Sequence, residues 1–196
     1  MRSLKRLPLP PQARAYLAKR TKGLGSAGNT KVGSDKHWKR ARRTKKIGMV
    51  IVVLRAMNGG SARCMYCEHD RSSDIDHFCP RAIRPWTTFA WRNMVWACGI
   101  CNGRKREQFP KGLLNPTSPG YSFEANFRLE RTTGKYAPLT TAAQVSEPIF
   151  GLNDTDLMGS RLEAIDAYQD KIASYADKMR KGELMAAARR ACFGPS

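Results

Sequence analysis

Acidic residues are scarce in this chain. Against 35 Lys and Arg stand 16 Asp and Glu, a net charge of +19 over 196 residues. A surface so short of carboxylates repels basic partners and gathers polyanions, so nucleic acid is the first partner to consider. A generically basic soluble protein, or one that binds anionic lipid, would share this balance. Long apolar runs are also missing. None exceeds eight residues, the length of Ile47 to Leu54, which includes Gly48, whereas a helical membrane span needs about 20. A signal sequence is not expected, because Arg2, Lys5 and Arg6 are followed by Leu-Pro-Leu-Pro-Pro and not by an apolar stretch. The expectation is a cytoplasmic protein with no membrane association. Disulfides are rare in that compartment, so the six cysteines need another explanation. No internal repeat is present. With 41% hydrophobic residues the chain can build a core, and its length suits one domain with appendages.

The charge is unevenly placed. Residues 1–46 carry a net +14 and contain a single acid, Asp35, while residues 47–196 carry +5. Residues 7–11 read as extended proline backbone, and residues 21–34, rich in Gly, Ser and Thr, as a flexible loop. Ser34 or Asp35 can cap a helix running to about Met57 and closed by Asn58-Gly59-Gly60. Trp38, Ala41, Ile47, Ile51, Leu54 and Met57 keep roughly one apolar face. A buried strand over 47–54 is the alternative. Lys39, Arg40, Arg42 and Arg43 make the first half of this segment a basic surface, either a solvated face or a phosphate contact. Three regions follow: a basic arm and helix over 1–60, a cysteine-bearing core over 61–110, and a loop-rich segment with a long helix over 111–196. The last region predicts loop with two short strands, then a helix from Asp154 or Thr155 to about Arg190. Its stripe of Leu162, Ile165, Tyr168, Ile172, Tyr175 and Met179 reads as a packing face, with docking of a partner as the alternative.

Cys64-Met-Tyr-Cys67 and Cys98-Gly-Ile-Cys101 are two CxxC pairs separated by 30 residues. Each turn brings two thiolates onto one side, and two turns complete a tetrahedral sulfur set suited to zinc. Redox chemistry is the rival for a CxxC pair, but two pairs in one short region favour a structural metal. Such a site explains folding and no activity. Cys79 and Cys192 lie outside it. The long gap requires an insert between the two halves. Within it, Asp74-Ile75-Asp76-His77 alternates as a short strand ending before Pro80, Met94 to Ala97 forms a second strand, and Cys101-Asn102-Gly103-Arg104-Lys105 opens a short helix.

The pieces DIDHFCP, Asn93 and CNGRK, in this order within a CxxC frame, resemble the HNH endonuclease family, whose core is the ββα-metal fold. The likeness covers about 50 residues, 61–110. A looser likeness in MRSLKRLPLPP, CEHD, LLNPTSPG and IFGLNDTDLMGSR extends to HNH proteins that bacteria encode beside ATPases in phage-defence systems. The resemblance implies an α+β fold with a zinc-tied core and helical extensions at both ends. It implies a divalent-metal-dependent phosphodiester hydrolase, with DNA as the expected substrate and an ATPase as a possible partner. His77 would be the general base, Asp76 and Asn102 the ligands of Mg²⁺ or Mn²⁺, and Asn93 a brace for the loop that orients His77. The products would carry 5′-phosphate and 3′-hydroxyl ends. Arg81, Arg84, Arg104 and Lys105 are candidates for gripping phosphate. Since only a neutral imidazole accepts a proton, activity should rise with pH through the ordinary histidine range. The reading from a different class is a non-catalytic, zinc-stabilised nucleic-acid-binding module, which would need the cysteines and the basic arm but not His77, Asp76 and Asn102 together.

Overall fold

Three helices open the chain in the computed structural model, which describes residues 1–26, 29–60, 62–70 and 72–181. Helix α1, Pro11–Ser26, begins with proline at its first position, where the missing N–H costs nothing. It buries Ala13, Leu17 and Leu24 on one face. The stretch predicted as a loop over 21–34 is therefore largely helical, since α1 runs through Gly23 and Gly25. Helix α2, Lys31–Ala41, is capped by Thr30, whose hydroxyl accepts from the Gly33 N–H, and it buries Ser34, Trp38 and Ala41. Helix α3, Lys45–Met57, buries Ile47, Val50, Leu54 and Met57. The single helix expected to Met57 is thus two. Thr44 is extended and its hydroxyl accepts from the Ile47 N–H, which ends one helix and caps the next.

Strands β1, Ser72–His77, and β2, Met94–Cys98, form an antiparallel pair with Asp76 opposite Val95 and His77 opposite Met94. A bulge lies between Ser72 and Asp74. Every residue of β2 is buried. Helix α4, Gly99–Lys105, follows at once, its N-terminus capped by the Cys98 sulfur. The order strand, loop, strand, helix agrees with the sequence reading of 74–105.

Beyond it come the one-turn helix α5, Phe123–Asn126, then the short strands β3, Phe127–Leu129, and β4, Tyr136–Pro138, which pair antiparallel. Helix α6, Thr141–Phe150, was hidden in the sequence by Pro148, which sits in its last turns. It is capped by Thr140 and ended by Gly151 at φ +60, and it buries Ala143, Ser146 and Phe150.

The chain divides into two compact units. One holds Met1–Leu129 and Tyr136–Asp154, and contains both sheets and the core. The other holds Glu130–Lys135 and the chain from Thr155 onward. Its helix α7, Thr155–Arg180, buries no residue. Gly134 at φ +70 lies so close to the Met158 carbonyl that any side chain would collide with it, and the Gly134 carbonyl accepts from Arg161 at 2.8 Å. The stripe read as a packing face is open: Tyr168 and Met179 are each 66% exposed. The expected continuation to Arg190, and Cys192, lie outside the described residues. Among the described residues no helix is long and apolar enough to cross a membrane.

Candidate active site and cysteine cluster

The four cysteines of the two CxxC turns converge. The sulfurs of Cys64, Cys67, Cys98 and Cys101 all lie within 4.8 Å of one another, and all four residues are buried as free thiols. A tetrahedral zinc with Zn–S of about 2.3 Å places its sulfurs about 3.8 Å apart, so the set fits this ion. The Cys67 and Cys98 sulfurs are 3.9 Å apart. Backbone amides face the cluster as well: Cys98 N–H donates to the Cys64 sulfur at 3.3 Å and Cys101 N–H to the Cys98 sulfur at 3.4 Å. Hydrogen bonds from Cys101, Cys64 and Cys67 hold Cys98 well below the ordinary thiol range. Four buried sulfurs brought this close are arranged to hold a metal ion.

Tyr66, inside the first CxxC turn, joins this cluster to the candidate site. Its ring stacks on Phe150 at 4.0 Å, and its hydroxyl donates to Asp76 Oδ2 at 2.6 Å. Burial and the Asp76 charge push the Tyr66 phenol well above its usual range, so it stays a donor. Lys105, from α4, completes the arrangement. Its ammonium donates to Asp76 Oδ1 at 3.1 Å and to the His77 carbonyl at 2.8 Å. Asp76 is 5% exposed and Lys105 is fully buried. A carboxylate at this depth needs these partners, since an unpaired buried charge costs several kcal/mol, on the order of 3–5.

His77 ends β1 and faces the other way, toward α2. It is 5% exposed, packed edge-on against the Trp38 ring at 4.6 Å. Nε2 lies 2.9 Å from the Thr88 carbonyl, which can only accept, so this nitrogen carries the proton. That leaves the lone pair on Nδ1, which meets the Arg81 guanidinium at 3.2 Å. Burial, then the charges of Arg81 and Lys105, push the His77 pKa down to about 3. The ring is therefore neutral across the physiological range. The expected rise of activity through the ordinary histidine range rested on the reference histidine pKa, from which burial and the Arg81 charge move this ring downward.

Asn93 lies beside this site rather than in it. Its amide nitrogen donates to the Cys79 carbonyl at 3.0 Å and the Thr87 hydroxyl at 2.9 Å, and its oxygen accepts from the Cys79 N–H at 2.7 Å. It stitches together the loop that carries the Thr88 carbonyl. Cys79 is buried in that loop, its thiol raised by burial.

A cleft of about 280 Å³ opens over these residues. Asp76, His77 and Asn102 line it, with Asp74 and Arg106. One wall is α2. Three ion pairs cross from that helix and its end to the core: Lys31 to Glu107, Asp35 to Arg81 at 2.9 Å, and Arg42 to Asp74 at 2.8 Å. Positions 31, 35, 38 and 42 share one helical face, which explains why Trp38 comes down on His77 between them. The donor set can take a divalent cation. Asp76 and Asn102 line the cleft and carry oxygen donors, although Tyr66 and Lys105 already occupy two of the roughly four acceptor positions of the Asp76 carboxylate. Mg²⁺ and Mn²⁺ commonly complete such partial shells with water and substrate phosphate.

The remaining candidates scatter. Lys105 was expected to grip phosphate, but it has no exposed surface and serves Asp76 instead. Arg104 pairs with Asp154 at 2.7 Å, crossing Gly151 so closely that a side chain there would clash. Arg84 is exposed and lies over the Phe109 ring at 5.8 Å. Lys39, Arg40 and Arg43 are exposed beside Arg42 near the end of α2. Sequence reasoning missed Tyr66, Trp38 and Thr88. The aromatic residue inside CxxC was the one local signal for the first; the other two are brought in by tertiary packing.

Of curated proteins, the chain is similar to the Septu protein PtuB of Bacillus thuringiensis, with 27% identity over 77 residues. The match covers 36% of this chain and 30% of that protein, so the chain spans under a third of the relative's length. No protein-family model matches, and no solved structure matches. The likeness supports a distant relation to that defence protein.

Proposed function

We propose that this protein is a metal-dependent endonuclease of the HNH type, acting on nucleic acid, with DNA as the preferred substrate, in bacterial anti-phage defence. The observation that carries the reading is the cleft itself. It joins a neutral imidazole with its lone pair on Nδ1, a buried carboxylate and a carboxamide within one small volume on a strand–strand–helix frame. Burial and the Arg81 charge hold the basicity of the ring down in the closed cleft, so the imidazole would take a proton from water once a substrate draws Arg81 off Nδ1; a general base contributes about 10²–10⁴-fold in rate. Thr88 fixes the tautomer and Trp38 fixes the ring plane. Arg81 is placed to meet a phosphate entering the cleft, and its departure from Nδ1 toward that phosphate would free the base. Asp76 and Asn102 would hold the divalent ion, which supplies Lewis-acid stabilisation of the scissile phosphate and its leaving oxygen. Lys105 and Tyr66 keep Asp76 in place, and zinc on the four cysteines would hold Tyr66.

The defence setting is supported by the likeness to the Septu protein and by the sequence resemblance to HNH proteins encoded beside ATPases. An ATPase partner is part of the proposal. A second reading, a zinc-stabilised binding module without catalysis, is favoured by one observation: the Asp76 carboxylate that would hold the divalent ion is already paired with Tyr66 and Lys105. The experiment is incubation of purified protein with plasmid, linear duplex, single-stranded DNA and RNA, with Mg²⁺, Mn²⁺ or chelator. The nuclease reading expects divalent-dependent cuts. Binding without cuts, with and without the ATPase, would leave the binding module as the better account.

A further inference from the structure

A second cleft, of about 440 Å³, lies between the N-terminal segment and the loop around residues 115–120. Lys5, Arg6 and Arg92 line it together with Ser3, Asn115 and Ser118, and no acid does. This sets it apart from the His77 cleft, where Asp35, Asp74, Asp76 and Glu107 balance the cations.

The walls are fixed before any ligand arrives. Arg6 donates to the Trp91 carbonyl at 3.0 Å, the Arg92 carbonyl at 3.1 Å and the Thr117 hydroxyl at 2.8 Å. Its guanidinium lies 4.7 Å over the Trp91 ring. The Leu4 N–H donates to the Pro116 carbonyl at 2.8 Å, and the Asn115 side chain accepts from the Thr117 N–H and hydroxyl. With the terminal nitrogens of Arg6 held by the Trp91 and Arg92 carbonyls and the Thr117 hydroxyl, Lys5 and Arg92 remain exposed, and neither side chain has an ion-pair or hydrogen-bond partner among the described residues. Burial and the nearby charge of Arg92 bring Arg6 down to about 10. Like charges gathered in a prebuilt concave surface without a counter-ion are stabilised by an anion.

We infer that this cleft is a second phosphate site, which holds the sugar–phosphate backbone of a nucleic acid. The inference rests on the proposal that nucleic acid is the substrate. The His77 cleft offers little net attraction to a polyanion while its ion pairs are closed. The Lys5–Arg92 cleft has no such compensation, so it supplies affinity without reading bases.

The test measures binding of a labelled duplex oligonucleotide across a salt series, without added divalent metal. It compares the parent with Lys5→Glu/Arg92→Glu and with a control, Lys111→Glu/Arg128→Glu, which makes the same change in net charge at two exposed positions outside the cleft. The cleft pair should weaken binding about tenfold more than the control and lower the salt slope by about two. Lys5→Gln/Arg92→Gln should give a smaller loss in the same direction and covers the case in which charge reversal disturbs the fold. Equal losses in the cleft and control pairs, with the parent binding duplex, would overturn the second site and leave the nucleic-acid reading intact. A parent that binds no duplex would overturn both. Inorganic phosphate and ATP form the remaining arms. If the cleft variants lose ATP or phosphate binding while duplex affinity is unchanged, the site is for a free phosphate ligand and the backbone assignment is wrong.

Discussion

The strand–strand–helix core and helix α7 are opposite solutions to the same problem of stabilising a basic chain. In the core, polar groups are taken inside and paired: Asp76 with Tyr66 and Lys105, His77 with Thr88, Asn93 with Cys79 and Thr87. The unit α7 belongs to has one short hairpin tip, closed by the Arg161–Gly134 hydrogen bond, and α7 leaves Tyr168, Ile172, Tyr175 and Met179 exposed. The difference teaches where function and stability are coupled. In the core Asp76 and His77 depend on partners from other elements, and Asn93 ties two loop segments, so removing one strands another. Along α7 the ion pairs of Asp177 with Arg180 and Lys181 are local and exposed, and Arg161 bonds the Gly134 carbonyl, so substitutions on the stripe from Tyr168 to Met179 should be nearly silent for folding.

The largest break of this contrast is at the cysteines. Cys64→Ser or Cys101→Ser should abolish metal retention and the cooperative unfolding of the core, because metal binding and folding are linked. Elemental analysis with thermal melts checks this. A zinc-free protein that melts as the parent does would contradict it.

Next comes the buried pair. Lys105→Met should cost about 3–5 kcal/mol, because it leaves the Asp76 carboxylate uncompensated. Adding Asp76→Asn should recover much of that loss. Urea unfolding of the single and double variants measures both, and a neutral Lys105→Met would mean that the pair is not buried in solution.

The third effect is a pH slope. The folded pKa of His77 lies below its unfolded value, so the unfolded chain binds the extra proton. The stabilisation is present in full above about pH 6.5 and is lost as pH falls toward about 3, by up to about 1.4 kcal/mol per pH unit from this group. His77→Gln should flatten that part of the curve in urea titrations. A parent whose stability does not change between pH 6 and 4 by this group, in comparison with the variant, would show an accessible ring. The smallest effect belongs to α7. Ile172→Ser should change stability by within about 0.5 kcal/mol, against about 2–5 for Leu54→Ala in the core. A large loss at Ile172 would show that the stripe is covered in solution.

What was legible in the sequence was what is local. Two CxxC spacings and the alternation through Asp76 and His77 anticipated the cysteine cluster and the order strand, loop, strand, helix. The order of His77, Asn93 and Asn102 anticipated residues that meet in or beside one cleft. Competing local signals misled at three places. The glycines of α1 read as loop, although Leu17 and Leu24 bury a helical face. A shared apolar period hid the break at Thr44, whose capping hydroxyl was the available clue. Pro148 masked α6, because it removes a backbone donor inside the helix, although Ala143, Ser146 and Phe150 bury a helical face around it. The Tyr66–Asp76–Lys105 network and the descent of Trp38 onto His77 were not legible at all, because they exist only once α2, β1 and α4 are packed. The reversal of Lys105, from phosphate ligand to buried partner of Asp76, follows from the same packing.

The measurement that tests the central claim most directly is cleavage by His77→Ala beside the parent, on the same duplex substrate with Mg²⁺ or Mn²⁺, with zinc content and duplex binding measured on both proteins. The account predicts that the variant keeps its zinc and its binding and loses about 10²–10⁴-fold in cleavage rate. A parent that cuts and a His77→Ala variant that cuts equally well would contradict it.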